Sequence, residues 1–207
     1  MTKQELDSRI RFMIKNVCVF ASSCNFLEDI YYKDAKELGK FLAQAQMDMV
    51  YGGSCLGLMW ACAKEVKDNG SKIIGVMPEK LKEFDVYSDY CDEFILTPCM
   101  RSRKAKMDEL SEALIALPGG FGTLEELSEM IVQKQLGYNK KAIVILNTNG
   151  FYDNMLRFFD DIIEKKFANK KAANLYYVAD TPKQAIDYLR NYKPEDFSIK
   201  KEDIYAR

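Results

Sequence analysis

The feature that most limits the fold of this chain is an alternation of short, almost wholly apolar runs with longer stretches whose apolar residues recur at helical spacing. Val17 to Ala21, Met47 to Tyr51, Lys72 to Met77, Phe94 to Thr97, Ala113 to Leu117, Ala142 to Leu146 and Leu175 to Val178 read as strands. Between them, residues 30–46, 56–68, 100–112, 123–136, 151–166 and 182–191 read as helices; Ile30, Ala35, Leu38, Phe41, Leu42 and Ala45 set the pattern in the first. A strand that is apolar on both faces must be covered on both. Repeated strand–helix units therefore predict an α/β fold with a mainly parallel sheet and helices on either side. The stretch from Glu79 to Asp92 is looser and carries no clear period.

The chain has 207 residues, enough to bury roughly 70% of its unfolded surface without staples. No linker, repeat or low-complexity segment divides it, so one domain spanning 1–207 is expected, with 1–15 as an N-terminal extension and the charged, aperiodic 193–207 as a peripheral tail. Lys and Arg total 30 against 31 Asp and Glu, which leaves no basic excess for a nucleic-acid backbone. The apolar runs fall far short of the ~18 residues that cross a bilayer, and the polar start is not a secretory signal. Cys18, Cys24, Cys55, Cys62, Cys91 and Cys99 form no CxxC pair; they read as small hydrophobes in a reducing compartment, and the expected location is cytoplasmic. There is no histidine. That excludes Ser-His-Asp and Cys-His nucleophile systems and His-ligated zinc, and leaves acid–base chemistry to Glu, Asp, Lys, Tyr or Cys.

Ligands in such folds sit beyond the carboxyl ends of the strands. Three turns fall there: Ser22-Ser23; Tyr51-Gly52-Gly53-Ser54-Cys55-Leu56-Gly57-Leu58-Met59; and Pro118-Gly119-Gly120-Phe121-Gly122-Thr123-Leu124-Glu125-Glu126. In each glycine turn a strand ends, side chains disappear and a helix begins, so that free N–H groups can cradle an anion. The alternative is that the glycines only make tight turns or permit close packing. Neither turn is GxGxxG or GxxxxGK[ST], which argues against dinucleotide binding and P-loop hydrolysis.

Met100-Arg101-Ser102-Arg103-Lys104-Ala105-Lys106-Met107 brings four cations to the start of a helix, where they oppose the dipole. A basic solvated face is one reading. The functional one directs Arg103 and Lys104 at an anionic ligand, Arg being suited to bidentate contact with phosphate or carboxylate. Glu125 and Glu126 lie in the first turn of the next helix, ~100° apart around its axis, so only one is expected to point into a cleft.

Pro118-Gly119-Gly120-Phe121-Gly122-Thr123-Leu124-Glu125-Glu126 fits PGGxGTxxE, and the stretch from Met100 to Met107 is similar to MHERKxxM. These signatures, with Val19 to Ser23, Gln135 to Tyr138 and Leu146 to Asp153, resemble the LONELY GUY (LOG) family over about residues 16–190. Arg101 and Ser102 stand where the signature has His and Glu, Ser54 replaces a third glycine, and Trp60 replaces the glycine that often follows GLM.

The resemblance implies a Rossmann-like, doubly wound sheet and a homodimer with sites near the subunit interface. It implies no metal or redox cofactor. The implied activity is hydrolysis of the N-glycosidic bond of a purine nucleoside 5′-monophosphate, N6-modified or plain, with Arg103 and Glu126 as catalytic residues. Ser22, Gly52, Gly53, Met100, Lys104, Gly119, Gly120, Phe121, Gly122, Thr123 and Glu125 are the candidate substrate-binding residues, and Glu79, Glu83 and Asp85 are further candidate contacts to ribose or base. The lysine decarboxylase label attached to some members fits poorly, since such pyridoxal-phosphate enzymes usually stack a His on the cofactor. The rival reading is a non-catalytic nucleotide or molybdenum-cofactor carrier or sensor of the same fold.

Overall fold

A computed structural model describes residues 13–83, 87 and 89–196. Residues 1–12 of the expected extension, 197–207 of the expected tail, and Asp85 lie outside the described residues.

The elements follow the sequence pattern closely: β1 (Asn16–Phe20), α1 (Asp29–Gln44), β2 (Asp48–Tyr51), α2 (Gly57–Asp68), β3 (Ile73–Pro78), α3 (Glu79–Lys82), β4 (Glu93–Thr97), α4 (Met100–Glu109), β5 (Ala113–Ala116), α5 (Phe121–Gln135), β6 (Ala142–Leu146), α6 (Asp153–Glu164), β7 (Tyr177–Ala179) and α7 (Pro182–Asn191). The seven strands form one sheet in the order β4-β3-β2-β1-β5-β6-β7. Every neighbouring pair is parallel. The loose stretch after β3 holds the short α3 and a bridge that joins Tyr87 to Ser54.

Alternation along the strands explains why they read as continuous apolar runs. Val17 and Val19 face one side with Met49, Tyr51, Ile115 and Val144, and α1, α2 and α7 cover them through Leu38, Leu58 and Leu189. Cys18 and Phe20 face the other side with Val50, Leu114, Ile143 and Ile145, where Met107 of α4, Leu127 and Met130 of α5, and α6 close over them. Neither face meets water, so both sets must be apolar. Burial pushes the Cys18 and Cys62 thiols far up from their ordinary range and leaves them inert.

Strand order reverses at β1, which pairs with β2 on one side and β5 on the other. Chains leaving β1 and β5 turn to opposite faces, and a crevice opens between them at the carboxyl edge. Both the Ser22 turn and the second glycine turn lie there.

Candidate active site

The crevice is a cleft of about 430 Å³. Ser22, Gly52, Met100, Arg103, Gly120, Gly122, Thr123, Glu125 and Glu126 all reach its wall, although they come from four separate stretches of chain. Leu56 and Met59, named in the sequence only as part of the first glycine turn, and Met77 and Leu81, not singled out there, form an apolar side of the same cleft. Their one signal was position: they lie in the glycine turn or near the end of β3. Neither Glu79 nor Glu83 lines the cleft; Leu81 of the same short helix does.

Ser22 ties the two glycine turns together. Its N–H donates to the Pro118 carbonyl (3.2 Å), and its carbonyl accepts from the N–H groups of Leu58 (2.9 Å) and Met59 (3.2 Å). The Gly57 N–H donates to Asn25 Oδ1 (2.8 Å). Gly57 has φ +59°, and a Cβ there would fall 2.5 Å from the Ser22 carbonyl oxygen. The donors that open α2 are thus spent on protein acceptors. The backbone donors of the first glycine turn serve packing, while its Gly52, Ser54 and Leu56 line the cleft and Gly53 (φ +72°) sits against Phe94 and Gly75 outside that lining.

The second turn differs. Gly120 is the N-cap of α5 and no side chain caps that end. A Cβ on Gly120 or Gly122 would meet nothing within 4 Å, so the space both leave opens on the cleft. The N–H groups of Phe121, Gly122 and Thr123 stand at an uncapped helix start, an arrangement that attracts an anion. Gly119 serves Thr123 instead: its Cβ would lie 2.1 Å from Thr123 Oγ1. Phe121 is 92% exposed and does not line the cleft.

Arg103 and Glu126 are both buried, and Arg103 Nη1 donates to Glu126 Oε1 at 3.2 Å. Arg103 Nε donates to the Val76 carbonyl at 3.1 Å. Of the residues in α4, only Arg103 and Met107 are buried, four apart on one face, and this aims the guanidinium at α5. Burial raises the Glu126 carboxyl to about 6; the Arg103 charge opposes that rise.

Lys104 is not at the cleft wall; its ammonium bridges Glu125 and Glu129 of α5. The expectation that it faces a ligand gives way to this pairing because α4 and α5 cover the same face of the sheet and α5 offers Lys104 two carboxylates. Glu125 is the more exposed of the adjacent pair. Among the described residues, no group of three or more His, Cys, Asp or Glu is placed to hold a metal ion.

Fold and site together define an all-parallel α/β protein in which an uncapped helix start and a buried Arg–Glu pair share one cleft. The family model that matches, described as "Possible lysine decarboxylase", covers residues 59–189. Cytokinin riboside 5′-monophosphate phosphoribohydrolase LOG of Oryza sativa subsp. japonica is 39% identical over 189 residues, 91% of this chain and 77% of that protein. LOG2 of Arabidopsis thaliana, of the same name, is 35% identical over 199 residues, 95% of this chain and 92% of its own. Among solved structures, the molybdenum cofactor carrier protein of Chlamydomonas reinhardtii superposes with a TM-score of 0.67 at 26% identity, over 85% of this chain and 96% of that one. The chain belongs to the LONELY GUY (LOG) family.

Proposed function

We propose that the protein hydrolyses the N-glycosidic bond of a purine nucleoside 5′-monophosphate, AMP or an N6-modified analogue, to free base and ribose 5-phosphate. The observation that carries this reading is the buried Arg103–Glu126 pair in one cleft with the uncapped start of α5. The phosphate binds the N–H groups of Phe121, Gly122 and Thr123. That anchor fixes the ribose, and a fixed substrate reacts with a far smaller entropy cost. Glu126, three residues on from Thr123 and on the same helix face, looks at the anomeric carbon.

Glycosidic cleavage develops positive charge on the ribose ring, which an anionic carboxylate stabilises. Glu126 takes a proton from the attacking water as the oxygen bonds to the anomeric carbon. The electron pair of the C–N bond leaves with the base, which is protonated from solvent. Arg103 holds Glu126 oriented and anionic. A carboxylate near 6 is matched to a base working near neutrality. The base lies against the apolar wall of Met59, Met77 and Leu81. Relatives of 35% and 39% identity bear the phosphoribohydrolase name, which supports the same reaction here, cytokinin ribotides included.

Likeness to a molybdenum cofactor carrier favours a second reading, binding without turnover. Incubation with AMP, N6-isopentenyl-AMP and adenosine, followed by chromatography for free base, separates the two. Base released from the monophosphates but not from adenosine is the expected result. Tight binding without release selects the carrier, and equal turnover of adenosine removes the phosphate assignment. We further read the protein as a homodimer, which its family likeness implies, and as cytoplasmic, from its scattered cysteines. No described helix is long and apolar enough to cross a membrane.

A further inference from the structure

We propose that Gly52 is a positioning residue for the reaction: the space its missing side chain leaves is the seat of the Arg103 guanidinium, and through it of Glu126. The inference rests on the reading of Arg103 and Glu126 as the reacting pair. A Cβ on Gly52 would lie 2.3 Å from Arg103 Nη2 and 3.4 Å from its Cζ. Backbone conformation does not require glycine here, because Gly52 is absent from the positive-φ residues that include its neighbours Gly53 and Gly57. Gly120 and Gly122 leave space open to the cleft; Gly52 leaves space that a cation fills. The other close neighbour, Met59 Sδ at 3.1 Å, ends a flexible side chain and can swing away. Arg103 cannot do so freely, since Nε is tied to the Val76 carbonyl and Nη1 to Glu126.

A methyl group at Gly52 therefore tilts the guanidinium away and lengthens its contact with Glu126. Glu126 then keeps the burial that raises its pKa and loses part of the Arg103 charge that lowers it. The other charges around it, Glu125, Lys104 and Glu129, stay in place.

The test is titration of the Glu126 carboxyl by carbon NMR, assigned with Glu126→Gln, in wild type, Gly52→Ala, Arg103→Met and the double variant Gly52→Ala/Arg103→Met. In Gly52→Ala the midpoint should rise by about one pH unit, the low end of what an opposite charge at this distance contributes. In the Arg103→Met background, Gly52→Ala should add no further shift. An unchanged midpoint in Gly52→Ala, or an equal further shift without Arg103, overturns the proposal. Should Gly52→Ala alone fail to fold, thermal melts of Arg103→Met and the double variant decide: without the guanidinium there is no clash, so the two should melt together, and a double variant that melts well below Arg103→Met overturns the proposal too. In parallel, kcat should fall at least tenfold in Gly52→Ala with KM for AMP nearly unchanged. The NMR midpoint needs no turnover, so failure of the hydrolase reading and failure of the Gly52 role are told apart.

Discussion

At the scale of single residues, Glu125 and Glu126 are chemically identical neighbours in unlike surroundings. One helical step turns Glu126 inward, where its side chain is 8% exposed beside Arg103, and leaves Glu125 56% exposed beside Lys104. Glu126→Gln keeps the shape and removes the base, and turnover should fall on the order of 10²–10⁴. Glu125→Gln should cost far less, and steady-state rates of both variants on AMP check the pair; a dead Glu125→Gln would reverse the assignment. The titration of Glu126 also links to stability. Its folded value of about 6 lies above the ordinary 4.5, so the native state binds the proton more tightly than the unfolded chain does. The stabilisation is present in full below the unfolded value and is lost as pH rises through about 6. Between pH 4 and pH 8 wild type should lose about 2 kcal/mol relative to Glu126→Gln. Urea titrations of both proteins across that range read the difference, and the constant cost of depriving Arg103 of its partner cancels from it. A pH-independent gap would mean that Glu126 titrates as an ordinary carboxyl.

At the scale of elements, α2 and α5 both follow glycine turns, yet only α5 presents unspent donors. Gly122→Ala tests this directly. A methyl there meets no protein atom within 4 Å, and alanine is the better helix former by about 1 kcal/mol. The melting temperature should therefore hold or rise while KM for AMP increases at least tenfold, because the methyl occupies the phosphate seat. Unchanged KM would move the phosphate elsewhere. The strands and helices of this protein were legible in the sequence, because a sheet covered on both faces writes its strands as apolar runs, as Ala142–Leu146 does. The glycine turns and the charged start of α4 were legible for the same local reasons. What was not legible depends on packing between distant segments. Lys104 meets Glu125 and Glu129 only once α4 lies against α5. Gly52 meets Arg103 across 51 positions, and no local pattern marks a glycine kept for a remote guanidinium. The bridge from Tyr87 to Ser54 is likewise invisible in the aperiodic stretch that holds it.

At the scale of the whole molecule, the question is what covers the outer side of α5. Along α5, Met130 is core, 6% exposed, while Val132 stands 48% exposed and Leu136, just past the helix end, 54%. Ile131 and Val132 line an apolar groove of about 180 Å³ with Phe159, Ile162 and Ile163 of α6. Contiguous apolar surface of this kind on a folded chain marks a contact face, and a two-fold pairing lets one such face cover its own copy. We therefore expect a homodimer closed through α5 and α6. Multi-angle light scattering at micromolar concentration should give twice the chain mass. Val132→Glu places a charge on the rim of that groove, where it is solvated in a monomer and desolvated in a dimer. It should shift the mass toward that of one chain and leave the far-ultraviolet circular dichroism unchanged. Wild type that scatters as a monomer would discard the dimer, and a dimer indifferent to Val132→Glu would move its interface off this face.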